Sequence, residues 1–337
     1  MRAVLLKGFG GAEMLRVGQT DRPPVGPGQV LIRVIASSVN RADITQRQGN
    51  YPAPPGESEI LGLEVAGLIA QLGAGVGEGA DGGAGAGWKL GDRVMGLVGG
   101  GGYAEYAAAY PEHLIAIPET MSFEEAACVC ETYITAFLNI FLIGGFEDGR
   151  TVLLHGGGGG VNTAGIQICG LLTPDARILV TASPRKLERV EALGAHRAID
   201  YTSQDFAAAV GEFTDGQGAD LILDHIGAKY LAGNMKALAL GGSLVIIGVM
   251  SGIKAELNLV RMMVKRQRII GSVLRSRPVD EKARIVAEFT QAVMPRLADR
   301  TIKPLIHEVF PLDKVSEAHE TMEQSRHFGK IVLSVAR

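Results

Sequence analysis

Five consecutive glycines, Gly156 to Gly160, separate an apolar run, Thr151-Val-Leu-Leu-His155, from a segment of helical character, Val161-Asn-Thr-Ala-Gly-Ile-Gln167. In ordered structure each glycine costs about 0.5–1 kcal/mol relative to alanine, so such a run is retained where the backbone must stay bare. At a strand-to-helix turn, bare backbone lets amide groups and the positive end of the helix dipole hold a pyrophosphate. The run departs from G-x-G-x-x-G, because reading from Gly157 the last position is Asn162. The loop alone leaves two readings, a dinucleotide cradle and a structural turn.

The segments that follow favour the cradle. Ile178-Leu-Val-Thr-Ala182, Leu221-Ile-Leu-Asp224 and Leu244-Val-Ile-Ile-Gly248 are short apolar runs of the kind buried on both faces of a parallel sheet. Helical stretches separate them. The clearest, Ser183 to Gly194, has a capping serine, a proline in its first turn and a glycine past its end. Alternation of this kind predicts a doubly wound domain. An NAD site expects an acid about 20 residues past the glycines, accepting from the ribose 2′-hydroxyl. Here the second strand ends at Ser183 with no acid, and Arg185 and Lys186 follow at once. Two cations and no repelling carboxylate suit a 2′-phosphate and hence NADPH; the alternative is a pair of solvated charges.

The first 122 residues read differently, as short strands and turns. Val30 to Ile35, Ile60 to Ile69 and Val94 to Val98 are strand regions, with glycines where side chains would crowd. Between Gly73 and Gly87 eight of fifteen residues are glycine, which predicts a flexible surface loop, the alternative being a substrate lid. Helical periodicity begins near residue 123, where Ser122 can cap a turn containing Glu124 and Glu125. It returns from Asp280 to Leu297, before closing strands. These changes place one domain at 1–122 with 270–337 and a second at 123–269. A net charge of −3 supplies no bulk attraction for nucleic acid or an anionic membrane. Met1 to Lys7 holds only four consecutive apolar residues, too few for a leader, and a cytoplasmic location is expected. The three cysteines, Cys128, Cys130 and Cys169, read as free thiols.

Several motifs, taken together, resemble the zeta-crystallin-like quinone oxidoreductases, a zinc-free branch of the medium-chain dehydrogenase/reductases, and most of all their tumour-suppressor-induced subgroup. They are Asn40-Arg-Ala-Asp43, Gln46-Arg-Gln-Gly-Asn-Tyr51, Leu61-Gly-Leu-Glu-Val-Ala-Gly67, Lys89-Leu-Gly-Asp92, Leu274-Arg-Ser-Arg277 and Phe328-Gly-Lys-Ile-Val-Leu333. The resemblance implies an α/β protein: a GroES-like β-rich catalytic domain plus a doubly wound Rossmann domain. Zinc-dependent relatives carry Cys and His where this chain resembles them at Asn40 and Leu63, and their third ligand falls at Glu131. Asparagine and leucine cannot replace thiolate and imidazole around zinc, so no metal is expected.

The resemblance also implies roles for individual residues. Asn40 and Thr135 would lie near the nicotinamide, with Leu274 and Arg275. Gly157, Gly160 and Val161 would follow the pyrophosphate. Ser183, Arg185 and Lys186 would meet the 2′-phosphate, and Tyr201 the adenosine phosphate. Gly248, Val249 and Lys330 complete the set. A homodimer through the sheet edge near Gly242 to Gly252 is a further expectation of the resemblance.

These readings converge on NADPH-dependent reduction of a small quinone by hydride or one-electron transfer. Asn40 would donate to a quinone oxygen or orient the ribose. Tyr51 would stack on a flat ring, or serve as a rim aromatic beside Pro52 and Pro54. Asp43 and Glu64 read as structural hydrogen-bonders. One rival is a 2-enoyl thioester or alkenal reductase, with Tyr51 as proton donor. Another, of a different class, is a crystallin-like or RNA-binding protein that retains the cofactor.

Overall fold

The computed structural model describes residues 1–77 and 87–335. Most of the glycine-rich segment read as a surface loop, residues 78–86, lies outside the described residues. The chain divides into two compact units, Met1–Ile134 with Leu274–Arg337, and Thr135–Val273. Periodicity alone marks the first change at 122, but the helix that starts there, Phe123–Ala126, packs on the strands of the first unit.

In chain order the first unit contributes β1 (Arg2–Leu6), β2 (Leu15–Gln19), β3 (Val30–Val39) and α1 (Arg41–Arg47). It continues with β4 (Glu64–Leu72), β5 (Arg93–Leu97), β6 (Tyr106–Ala109) and β7 (Leu114–Ala116). Two helices follow, α2 (Phe123–Ala126) and α3 (Cys130–Phe137). Ser122 caps α2 as its sequence predicts, in a capping box with Glu125.

The second unit is β8 (Thr151–His155), α4 (Gly160–Leu172), β9 (Arg177–Ala182), α5 (Leu187–Ala192) and β10 (Arg197–Asp200). Then come α6 (Phe206–Phe213), β11 (Ala219–Asp224), α7 (Leu231–Ala237), β12 (Leu238–Ile246), α8 (Leu259–Val264) and β13 (Arg268–Gly271). The chain returns to the first unit with α9 (Val279–Ala298), β14 (Ile306–Pro311), α10 (Val315–Glu323) and β15 (Lys330–Ser334).

The first unit is built on a mainly antiparallel sheet in the order β14-β15-β3-β4-β5-β7, with β6 also on β3. Its core is aliphatic, centred on Val30, Ile32, Val34, Val65, Ile69 and Ile331. The second unit holds a parallel sheet in the order β10-β9-β8-β11-β12-β13. That is the doubly wound order, and ligands of such sheets sit beyond the strand ends where the winding reverses, here between β8 and β11.

The segment after β9 differs in detail from its sequence reading. Ser183 precedes a short 3-10 turn, Pro184–Lys186, and its side chain makes no capping hydrogen bond. Proline fixes the turn, and the α-helix starts only at Leu187. No helix of the described residues is long and apolar enough to cross a membrane.

Candidate active site

Strand pairing gathers the polar residues of the first unit. Ile331 of β15 pairs with Val39 of β3, and Val65 of β4 pairs with Ser37. Asn40, Glu64 and Lys330 therefore meet at one end of the sheet, all buried. The Lys330 Nζ donates to Asn40 Oδ1 at 2.5 Å, Glu64 Oε1 at 3.0 Å and the Val39 carbonyl at 3.2 Å. Glu64 Oε1 also accepts from Ser38 Oγ and from Asn40 Nδ2, and its Oε2 accepts from the Glu131 backbone N–H at 2.9 Å. The Asn40 amide is thus engaged at both ends, which makes it the holder of the Lys330–Glu64 pair.

Asp43 supports this corner from α1. Its carboxylate accepts from the Asn40 and Gly62 backbone N–H groups at 2.8 and 2.9 Å and from the Tyr103 hydroxyl at 3.1 Å. Burial pushes its pKa up to about 6, these hydrogen bonds and Lys330 pulling the other way. Gly62 has φ +100°, and a Cβ there would stand 2.6 Å from the Gly102 and Tyr103 backbone. Behind Tyr103 lies His319, whose two ring nitrogens face the Tyr103 hydroxyl and Arg47. Arginine only donates, so Nδ1 accepts from it and Nε2 carries the proton. Burial drives His319 down to about 3. This chain of contacts was not legible in the sequence, because its members come from α1, the turn after β5 and α10.

Glu131, partly exposed, has its carboxyl pushed up to about 8 by burial and by the neighbouring Glu64. Tyr51 is half-buried with its hydroxyl shifted upward by burial and by Glu131. Leu274 and Arg275 are buried in the same unit, and the Arg275 guanidinium lies 5.2 Å from the centre of the Tyr51 ring. Of the three positions read against zinc ligands, Asn40 serves Lys330, Leu63 is an apolar core residue and Glu131 alone offers a donor. Among the described residues no three His, Cys, Asp or Glu side chains come together as a ligand set. A divalent cation would also have to share Glu64 with an ammonium 3.0 Å away. The residues present do not fit zinc.

The second unit carries the glycine cradle. Gly156 has φ +80°. A Cβ on Gly157 would stand 2.0 Å from Val180 Cγ1, and one on Gly158 would stand 2.4 Å from Lys186 Cδ. The loop therefore lies flat against β9 with the Lys186 side chain across it, and Gly160 and Val161 open α4. Asn162, where the run departs from G-x-G-x-x-G, tucks inward: its amide donates to the His155 carbonyl, fixing the loop rather than blocking it. The His155 ring is a buried anchor. Asn234 Oδ1 accepts from its Nε2 at 2.7 Å, Thr181 Oγ1 faces its Nδ1 at 3.0 Å, and burial lowers its pKa to about 3. Asn234 in turn donates to Asp224 at the end of β11.

Gly248 packs on the backbone of His225 and Gly156 on the far edge of its ring, so the two glycines flank one histidine beyond the strand ends. Thr135 is buried, its carbonyl accepting from Asn139. Tyr201 and Val249 stand exposed at 46% and 47%, open to a ligand. The residues assigned to the cofactor thus separate by unit: Asn40, Leu274, Arg275 and Lys330 in one, the remainder in the other.

Residues 193–333 match the family model described as zinc-binding dehydrogenase, and residues 26–119 match that of the alcohol dehydrogenase GroES-like domain. The chain is 29% identical over 351 residues to the human synaptic vesicle membrane protein VAT-1 homolog, covering 99% of this chain and 86% of that protein. It is 31% identical over 338 residues to rat quinone oxidoreductase, covering 99% and 97%. Among solved structures it is similar to an NAD-dependent alcohol dehydrogenase at 32% identity and a TM-score of 0.85, over 100% of both chains. A mycobacterial protein complexed with NADPH has 26% identity and a TM-score of 0.88, over 99% of this chain and 100% of its own. The CurK enoyl reductase has 26% identity and a TM-score of 0.85, over 99% of both chains.

Proposed function

This chain belongs to the medium-chain dehydrogenase/reductase family, with the zeta-crystallin-like quinone oxidoreductases among its relatives, and on that footing we propose that it reduces small quinones with NADPH and without zinc. The observation that carries the reading is the Lys330 ammonium locked between Glu64 and Asn40 beside the family's metal position. A quinone suits a site without a Lewis acid, because its carbonyls are already strongly electrophilic. NADPH supplies the reducing equivalents when bound; the protein's part is to hold and orient. Tyr51 offers a ring face to a flat acceptor.

The preference for NADPH rests on the β9 end, where Ser183, Arg185 and Lys186 replace an acid. Gly157, Gly160 and Val161 hold the pyrophosphate in this reading. Tyr201 borders the adenosine phosphate, Gly248 and Val249 follow β12, and Thr135 and Leu274 border the nicotinamide in this reading. Exposed apolar residues on and near the β12–β13 edge, among them Ile253, Leu259 and Met263, support a homodimer through that face.

The likeness to the CurK enoyl reductase favours a second reading, reduction of an activated double bond. One assay separates the two: NADPH oxidation followed with 9,10-phenanthrenequinone and 1,4-benzoquinone, then with a crotonyl thioester. Turnover with quinones alone supports the first reading. Turnover with the thioester alone replaces it with the second.

A further inference from the structure

Arg275 is 6% exposed, yet only part of its guanidinium is used. Its Nε donates to the Gly99 carbonyl at 2.8 Å, while Nη1 and Nη2 are buried without a hydrogen-bond partner. Leaving charged donors buried and unpaired costs their full desolvation, so this side chain is built to be completed by something. No carboxylate of the described residues lies within ion-pairing distance of it. Glu131 is an acidic group in its electrostatic reach, and burial and Glu64 shift that carboxyl upward, which weakens its hold on the Arg275 charge. Lys282, also buried, adds a second cation: its Nζ donates to the Arg275 carbonyl at 3.5 Å, with Glu57 and Glu131 as its acidic neighbours.

We propose that Arg275 and Tyr51 form a recognition corner for a flat organic acid, its carboxylate docked on Nη1 and Nη2 and its ring against Tyr51. The inference deepens the quinone reading and rests on it, naming carboxylate-bearing quinones as the favoured acceptors. Two parallel N–H groups match the two oxygens of a carboxylate, and the match neutralises the charge as well as the donors. The carboxamide of a nicotinamide offers one oxygen and no charge. It would leave Arg275 half satisfied.

The test compares 2-naphthoate with its neutral analogue 2-naphthamide, titrated by calorimetry against the cofactor-free protein, wild type and Arg275→Met. Thermal melting and NADPH titration accompany each variant. Naphthoate is expected to bind at least about tenfold more tightly than naphthamide, the scale of a charged hydrogen bond, and Arg275→Met should abolish that preference. Arg275→Lys keeps the charge without the fork. It should retain part of the preference, and it carries the test if Arg275→Met fails to fold.

Equal affinity for acid and amide overturns the proposal. So does a weakened NADPH affinity in Arg275→Met with the naphthoate preference intact, which would give the side chain to the cofactor. In turnover, 1,4-naphthoquinone-2-carboxylate should exceed 1,4-naphthoquinone in kcat/KM, and Arg275→Met should erase that ratio. If no quinone is turned over while naphthoate is still preferred, the quinone reading fails and the acid site stands. If quinones react with no preference for the acid, the acid site fails and the quinone reading stands.

Discussion

The Lys330 ammonium lies 3.0 Å from the Glu64 carboxylate, with both side chains buried. Each charge also satisfies hydrogen bonds from or to Asn40, so the pair is compensated only as a unit. Removing one partner of a buried pair leaves a charge stranded, at a cost of about 3–5 kcal/mol. Lys330→Met is expected to lose stability on that scale in urea unfolding. The double substitution Lys330→Met with Glu64→Gln should lose clearly less than the sum of the two single changes. Strict additivity would mean that the pair carries no coupling.

The pH dependence of stability should have two arms. His155 and His319 titrate near 3 in the folded chain against 6.5 when free, because burial disfavours the imidazolium. Their contribution is fully present above pH 6.5 and is lost as pH falls toward 3. Glu131 is shifted the other way, from 4.5 to about 8. Its contribution is fully present below pH 4.5 and is lost as pH rises through 8. Asp43, raised from 3.8 to about 6, adds a smaller loss in the lower part of that window. Melting temperatures measured from pH 5 to 9 should therefore decline on the alkaline side. Glu131→Gln should flatten that decline, and an unchanged slope would assign it elsewhere.

The glycine cradle predicts two substitutions of opposite effect within twenty residues. A Cβ at position 157 meets Val180 at 2.0 Å and Val190 at 3.0 Å, so Gly157→Ala forces loop and strand apart. Overpacking of that kind costs about 1–3 kcal/mol, and NADPH affinity should fall with it. Gly170, exposed within α4, has nothing within 4 Å of its Cβ position. Gly170→Ala should raise stability by up to about 1 kcal/mol and leave NADPH binding alone. Thermal melting and a fluorescence titration of NADPH check both.

The sequence made the second unit legible because its signals are local. β8, the five glycines and α4 follow one another, and the strands are short continuous apolar runs. The end of β9 could also be read directly, since Ser183 to Lys186 are adjacent in sequence. The first unit hid its chemistry. Asn40 stood out by motif, but what it does depends on Lys330, 290 residues away, and on Glu64 across a β-pairing. His319 and Tyr103 gave no signal, and Arg47 stood only as one residue of a motif, because a buried polar chain drawn from three distant segments has no periodicity. The split of the Ser183 segment into a 3-10 turn and a helix was likewise missed. Proline at the first turn fits either, and only the path of the chain decides.

Proline holds Pro184–Lys186 as a turn just past β9 and carries the Lys186 side chain back across Gly158, over the cradle. If the turn reads a 2′-phosphate, Lys186 contributes to NADPH binding and hardly at all to NADH binding. A charged hydrogen bond is worth about 1.5–3 kcal/mol, so Lys186→Ala should weaken NADPH roughly 10- to 100-fold and leave NADH within about twofold. Ser183→Asp should go further. A carboxylate there would repel the phosphate and accept from a free 2′-hydroxyl, turning the preference toward NADH. Parallel fluorescence titrations with both nucleotides measure this. Equal losses for the two in Lys186→Ala would mean that the lysine supports the loop itself and reads nothing at the 2′-position.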